Sequence, residues 1–256
     1  MKTTRVLSTL LRVMGIVLTA GGLAVFARHV LTMRAYAELG SSTTRQSHDA
    51  EDLGMDATVI ASQIDWEELR RQNSDVVAWI RVEGTSIDLP VMAAPAQDPS
   101  FYLAHDFWGN PSLEGTPYLD HRCDAHAPHR LVYGHHLTMG GQFSELQRVY
   151  LPERFATLGA CHWTTPEAGE KVMVPLCCST TDAWDQGIQH FSFDERLSLS
   201  TWLASVAAPC TARSNDWEDL SARAVSAITL VTCASDQAHD DARTVVTFVE
   251  VNRQPP

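Results

Sequence analysis

The sequence has no two cysteines separated by two residues, and its six cysteines (Cys123, Cys161, Cys177, Cys178, Cys210 and Cys233) match no zinc-ribbon spacing. In a chain of 256 residues they are also too few for a disulfide scaffold. There is no glycine-rich phosphate loop, and no alternation of strand and helix of the kind that builds a parallel nucleotide-binding sheet. Internal repeats and low-complexity tracts are absent, which excludes solenoids and disordered tails. Positive charge is scarce: 19 Lys and Arg face 31 Asp and Glu, a net charge of −12. Such a surface repels phosphate backbones, so nucleic acid is not an expected partner.

Acid is missing in turn from residues 1–35, which hold Lys2, Arg5, Arg12, Arg28 and Arg34. Taking that +5 from the total of −12 leaves −17 for the rest of the chain. Within this basic segment Val6–Ala27 is apolar apart from Arg12 and a few small polar residues. As a helix rising about 1.5 Å per residue it spans roughly 33 Å, enough for a hydrocarbon core of about 30 Å. Arg12 lies near one end, where its charge can reach the headgroups. Residues 1–35 therefore read as one membrane anchor with a short cytoplasmic end and an acidic body outside. A cleaved signal peptide is the rival, because Ala35-Tyr36-Ala37 has the small-x-small pattern. That site, however, lies some ten residues past the apolar stretch. Residues 36–61 read as a linker or helical lead-in, and 62–256 as one catalytic-sized domain.

Beyond the linker, Ile64–Asn73 has a helical pattern, with Asp65 as its cap and Glu68 as the capping-box partner. The period then changes. Short strands are expected at 79–82, 87–91, 116–122, 129–136, 159–165, 171–179, 224–233 and 243–251. Helices are expected over 140–150 and over 193–207, the latter starting at Asp194 with Leu197, Trp202 and Val206 on one face. On a strand, Cys177 and Cys178 point to opposite faces, so one at most is expected in the core. Many short strands with turn-rich joins indicate a mainly β fold, a closed or nearly closed barrel with inserted helices.

Cys233 ends one apolar run and Arg243 opens the next, with the polar "ASDQAHDDA" between them. In an antiparallel hairpin the last residue of one strand lies beside the first of the next, so the two can face one cavity. A thiol attacks as thiolate and needs a cationic or basic partner. Eleven histidines are available. His48, His126, His129 and His239 read as solvated loop residues. His135 stands apart, because "LVYGHH" ends a strand with a glycine that lets backbone or ligand approach closely. Spacing alone does not choose between His135 and His136.

Together these residues resemble the class B sortases, the membrane-anchored cysteine transpeptidases of Gram-positive cell surfaces. Thr229-Leu230-Val231-Thr232-Cys233 matches the family's TLxTC signature, and Arg243-Thr244-Val245-Val246 matches its arginine-led final strand. Tyr133-Gly134-His135, followed by Phe143-Ser144-Glu145-Leu146, matches its histidine motif. The resemblance runs from about residue 62 to 251. It implies a sortase-like closed β-barrel with N-terminal helices, and a helix at 193–207 in the loop between the family's sixth and seventh strands. It implies Cys233 as nucleophile, His135 as proton donor and Arg243 as oxyanion or substrate clamp, with no cofactor. Leu103 is its apolar substrate contact, and Thr232 either a hydrogen-bonding substrate contact or a residue that fills the strand. The implied partners are surface or pilin proteins bearing a C-terminal sorting signal, with a peptidoglycan or pilin lysine amine as acceptor. A hydrolytic cysteine peptidase with the same three residues is the alternative, and a catalytically silent binding module the other. Three positions depart from the family pattern: His136 replaces an asparagine, Pro99 replaces another in the segment before Leu103, and no acid stands at Ala234-Ser235. His121, Cys123, His126 and His129 suit a metal by residue type but not by spacing. Asp236, Asp240 and Asp241 lack EF-hand spacing.

Overall fold

A computed structural model describes residues 2–45, 63–182, 187–234 and 241–252. They divide into two compact units, Met1–Ile64 and Asp65–Pro256. In the first, helix α1 (Lys2–Thr43) carries a stretch, Arg12–Gly40, with an 18-residue window of mean hydropathy 1.6. It is long and apolar enough to cross a membrane. A polar group inside it is satisfied locally, Thr19 Oγ1 donating to the Gly15 carbonyl at 2.8 Å. The two-residue strands β1 (Thr44–Arg45) and β2 (Gln63–Ile64) pair antiparallel. Most of the expected linker lies outside the described residues.

The second unit opens with α2 (Trp66–Gln72). Asp65 caps it, accepting from the Glu68 amide at 3.0 Å. Glu68 does not complete the expected capping box, since its carboxylate binds Arg71 and Gln72 instead. Eight strands then close a barrel: β3 (Val76–Val82), β4 (Asp88–Ala93), β5 (Tyr118–Leu119), β6 (His129–Tyr133), β7 (Cys161–Thr165), β8 (Gly169–Asp182), β10 (Ala224–Cys233) and β11 (Ala242–Val251). Round the barrel the order is β11-β10-β6-β5-β4-β3-β7-β8, with β8 returning to β11 and the short β9 (Ala212–Arg213) attached to β8. Gly84, at φ +81°, makes the tight turn between β3 and β4; a side chain there would meet the Thr157 carbonyl at 2.8 Å.

The helical expectations need correction. Residues 140–150 hold only a 3-10 turn, Ser144–Leu146. Helix α4 (Leu199–Ala207) begins later than expected, capped by Ser198, while Asp194 instead binds the amides of Arg196 and Leu197 in a preceding turn. The structure adds α3 (Pro152–Phe155) and α5 (Trp217–Arg223).

Helix α4 decides which faces are buried. Its Trp202, Leu203 and Ala207 pack on Leu176, Cys177, Ala227 and Val249, which covers the outer face of β8, β11 and β10. Both faces of these strands are therefore dry, and Cys177 and Cys178 are both buried, at 1% and 2% exposure, against the expectation of one. All six cysteines are free thiols.

His129 is a second correction. It is fully buried, not a solvated loop residue. A carbonyl only accepts, so Nδ1 carries the proton and donates to the His190 oxygen at 2.7 Å. Nε2 then accepts from Thr229 Oγ1 at 2.8 Å, and Thr247 must donate to Thr229 across 3.1 Å. The ring also packs on Trp202, 4.4 Å between centroids. Burial is the main cause that lowers its pKa to about 4, against the pull of the His190 bond.

Folded His129 thus stays neutral down to about pH 4, whereas in the unfolded chain it takes a proton near the usual value of about 6.5. Stability is lost as pH falls between those values, by on the order of 3 kcal/mol at the lower end. Chemical denaturation at several pH values should show this slope. It should flatten in His129→Gln, which keeps a donor and an acceptor but does not titrate; an unchanged slope would assign the loss elsewhere.

Candidate active site

Strand β10 lies between β6, to which it is parallel, and β11, to which it is antiparallel. The last register pair with β11 is Cys233↔Arg243. The last with β6 is Val231↔Tyr133, and the Gly134 amide carries that ladder one bond further, donating to the Val231 carbonyl at 3.0 Å. Two residues beyond this pair stand Cys233 on one strand and His135 on the other. The three sequence-predicted residues are thus placed at one end of three adjacent strands.

Alternation gives the face. Val231 and Val245 pack with Leu131, Tyr133, Ile188 and Phe191 on the outer side. Cys233 and Arg243 lie two residues on from Val231 and Val245, and so point the same way. Both are half-buried. The Arg243 Nη1 donates to the Ala242 carbonyl at 3.0 Å, which bends the guanidinium back over its own strand.

Thr232 takes the opposite face. It is 2% exposed and its hydroxyl has no hydrogen-bond partner among the described residues. Its register partner Thr244 is likewise buried and donates to the Gln147 carbonyl at 2.7 Å. Of the two roles weighed for Thr232, this position matches filling the strand. Leu103 lies at the end of a 3-10 turn, Phe101–Leu103, with its side chain 42% exposed and available to an apolar ligand.

The Leu103 carbonyl meets His135 Nε2 at 2.7 Å. The carbonyl only accepts, so Nε2 carries a proton. Nδ1 is left as the nitrogen that gains and loses one. His136 forms an isolated bridge with Gln142 instead. The motif glycine proves necessary for a reason the sequence reading did not give. A Cβ on Gly134 would lie 2.5 Å from the Phe143 ring, so it is the motif's own phenylalanine that approaches the backbone.

One wall of the site is the segment around Ile188–Phe191, ahead of α4. Arg122 holds it, donating to Gln189 at 3.0 Å, with its guanidinium 5.1 Å from the Phe191 ring centre. Asp120 anchors Arg122 through bonds of 2.8 and 2.6 Å and also accepts from the Tyr133 hydroxyl at 3.0 Å. Burial raises the Asp120 pKa, but the bonds from Arg122 and Tyr133 outweigh it and hold the carboxyl below its usual range. Burial and the Asp120 charge push the Tyr133 hydroxyl well up, so it stays protonated. The sequence reading missed Asp120, Arg122 and His129 as supports of this wall. The alternation His129, Leu131, Tyr133 was the available signal for His129.

Among the described residues no group of three or more His, Cys, Asp or Glu side chains is placed to hold a metal. His126 approaches Glu167 at 3.6 Å, and burial pushes the Cys123 thiol up to about 11. The acidic positions Asp236 and Asp240 lie outside the described residues.

No family model matches the chain. Sortase B of Listeria monocytogenes is 28% identical over 90 residues, 34% of this chain and 35% of that protein. Sortase B of Staphylococcus aureus is 32% identical over 92 residues, 35% of this chain and 36% of that protein. The chain thus spans about a third of the length of the curated relatives it matches. Among solved structures, a mutant form of Clostridium perfringens sortase B superposes with a TM-score of 0.68 at 22% identity, covering 86% of this chain and 98% of that one. The Staphylococcus aureus sortase B–substrate complex gives 0.69 at 19% identity, covering 88% and 100%. These likenesses establish the fold.

Gly134→Ala should force the Phe143 ring or the strand end aside, at a cost of roughly 1–3 kcal/mol. Denaturation midpoints check this, and an unchanged midpoint would mean the ring moves freely. In its eight-stranded barrel, and in the part of its sequence that aligns, the chain is sortase B-like.

Proposed function

We propose that the protein is a membrane-anchored cysteine transpeptidase that cleaves a C-terminal sorting signal and transfers the acyl part to an amine. The observation that carries this reading is the register pair Cys233↔Arg243, with His135 at the end of the neighbouring strand. The Cys233 thiolate adds to the carbonyl ahead of the cleaved bond. The oxyanion that forms is stabilised by Arg243, whose guanidinium stays charged throughout. On collapse the leaving amine takes the proton from His135 Nδ1, since Nε2 is held by the Leu103 carbonyl. A thioacyl-enzyme remains. An acceptor amine then attacks it, returns a proton to His135 and releases the thiolate. The acceptor class is a peptidoglycan amine or a pilin lysine, and the donor a surface or pilin protein. The exposed Leu103 side chain offers an apolar contact to the sorting signal. Helix α1 supports single-pass anchoring, with residues 62–256 as the catalytic domain outside the cell.

Cys233→Ala should abolish turnover of a sorting peptide while changing stability by less than about 1 kcal/mol, because a half-buried strand-end thiol contributes little packing. Persistent turnover in that variant would remove the nucleophile assignment. Arg243→Lys should lower kcat/KM by about 10²-fold, since a point ammonium does not reproduce the planar fork. Replacing His135 and His136 separately should stop turnover only in the first case. Product analysis with peptide and excess amine should give the amide; the free acid alone at saturating amine would make the protein a hydrolase.

A further inference from the structure

We propose that Gln142 is a positioning residue for His135, acting through Gly115 and the Leu103 carbonyl. The inference rests on the reading of His135 as the proton donor. Gln142 is 3% exposed, so solvent does not explain its polarity. It is the one non-glycine residue among those described with a positive φ, +46°. Among the described residues its side-chain oxygen is buried without a hydrogen-bond partner. Strained backbone and an unpartnered buried acceptor are both costly, and such costs persist where the surroundings demand them.

The single side-chain bond Gln142 makes is to the site. Its Nε2 donates to the Gly115 carbonyl at 3.1 Å. Gly115, at φ +60°, lies flat against the carbonyls that end the 3-10 turn. A Cβ there would fall 2.7 Å from the Tyr102 oxygen, 2.8 Å from the Leu103 oxygen and 3.1 Å from His135 Cδ2. The neighbouring Thr116 amide donates to the Tyr102 carbonyl at 2.9 Å. Gly115 therefore sets where the Leu103 oxygen points, and that oxygen fixes the His135 proton on Nε2.

Gln142 also belongs to the histidine's own loop. It bridges His136, and the next amide, of Phe143, donates to the His135 carbonyl at 3.0 Å. Two bonds thus join the same two segments, His135 to Leu103 and Gln142 to Gly115. The second holds the first in register. Without it the imidazole can rotate or exchange tautomers, and the proton needed on Nδ1 is no longer set by the protein.

The test uses the full chain in detergent, with two variants. Gln142→Met keeps the length and apolar volume without the amide. Gln142→Gly relieves the positive φ and removes the unpartnered oxygen as well. Each should lower kcat about 5- to 10-fold with KM little changed, and should shift the pH dependence of kcat. The Gly variant should be at least as stable as the wild type in thermal melts, so activity and stability move apart. In ¹⁵N-histidine spectra the His135 signals, identified by their loss in His135→Ala, should go from one Nε2–H tautomer to a mixture. Unchanged kcat with an unchanged His135 tautomer in either variant overturns the proposal. So does activity that merely follows the melting temperature while the tautomer stays fixed. The spectra do not depend on turnover, so a failure of the transpeptidase reading, seen with Cys233→Ala, is distinguishable from a failure of this one.

Discussion

The register of β10 between its two neighbours is the constraint on which the site depends. Side chains alternate along a strand, so a slip of one residue would turn Cys233 into the barrel and bring Thr232 out. Several buried groups hold the register at once. Leu230, Ile228 and Val246 are buried at 0% exposure on the interior face, where a slip would place threonines. On the outer face Thr229 is tied by its hydroxyl to His129 of β6 and to Thr247 of β11. That polar chain has one arrangement of protons, and it exists only if all three strands are in line. The pairing Cys233↔Arg243 follows from it four residues further along each strand of the hairpin.

The same face explains why the site is half open. Helix α4 and the segment before it cover the outer side of β8, β11 and β10 as far as Val231 and Val245, and the cover ends there. Cys233 and Arg243 emerge one step past it. The wall at the edge is held by polar contacts as well as by packing. Arg122 reaches Gln189 and Phe191, and His129 reaches the His190 carbonyl. His129 opens β6, the strand whose end leads to His135, and Arg122 is tied through Asp120 to Tyr133 of the same strand. The wall and the imidazole are thereby referenced to one element.

Much of this was legible in the sequence, and the limits have physical causes. The bounds of β10 and β11 match closely because strands dry on both faces read as near-continuous apolar runs. The proposed triplet of Cys233, His135 and Arg243 was legible through its motifs. His129 was misread because it adjoins a histidine-rich loop, although its alternation with Leu131 and Tyr133 placed it on a covered face. The error over Cys177 and Cys178 has the same root, since local pattern does not show that a helix some twenty residues downstream folds back over their strand. Helix α4 was located but begun too early, because Asp194 caps a turn with the same chemistry that caps a helix. Gln142 had no sequence signal. Its importance lies in a positive φ and a contact to Gly115, and both are tertiary facts.

The division of labour between strands and loops bears on the three departures from the family pattern. Cys233 and Arg243 belong to strand ends whose positions are set by the barrel, and His135 is pinned to the same ladder through Gly134. Pro99 and His136 lie instead on the two segments that meet through Leu103 and Gly115, and Ala234 stands just past β10. The scaffold that aligns nucleophile and guanidinium is therefore indifferent to those changes. The surface a peptide would meet on its way to Cys233 is not. Proline at position 99 offers neither an amide N–H nor a side-chain amide, so a peptide backbone passing there must find its polar partners elsewhere. At position 136 an imidazole replaces a carboxamide, so the pair of donor and acceptor a peptide would meet there is different. The proposed reaction and its choice of substrate thus rest on different parts of the fold, and the departures from the family pattern fall on the second.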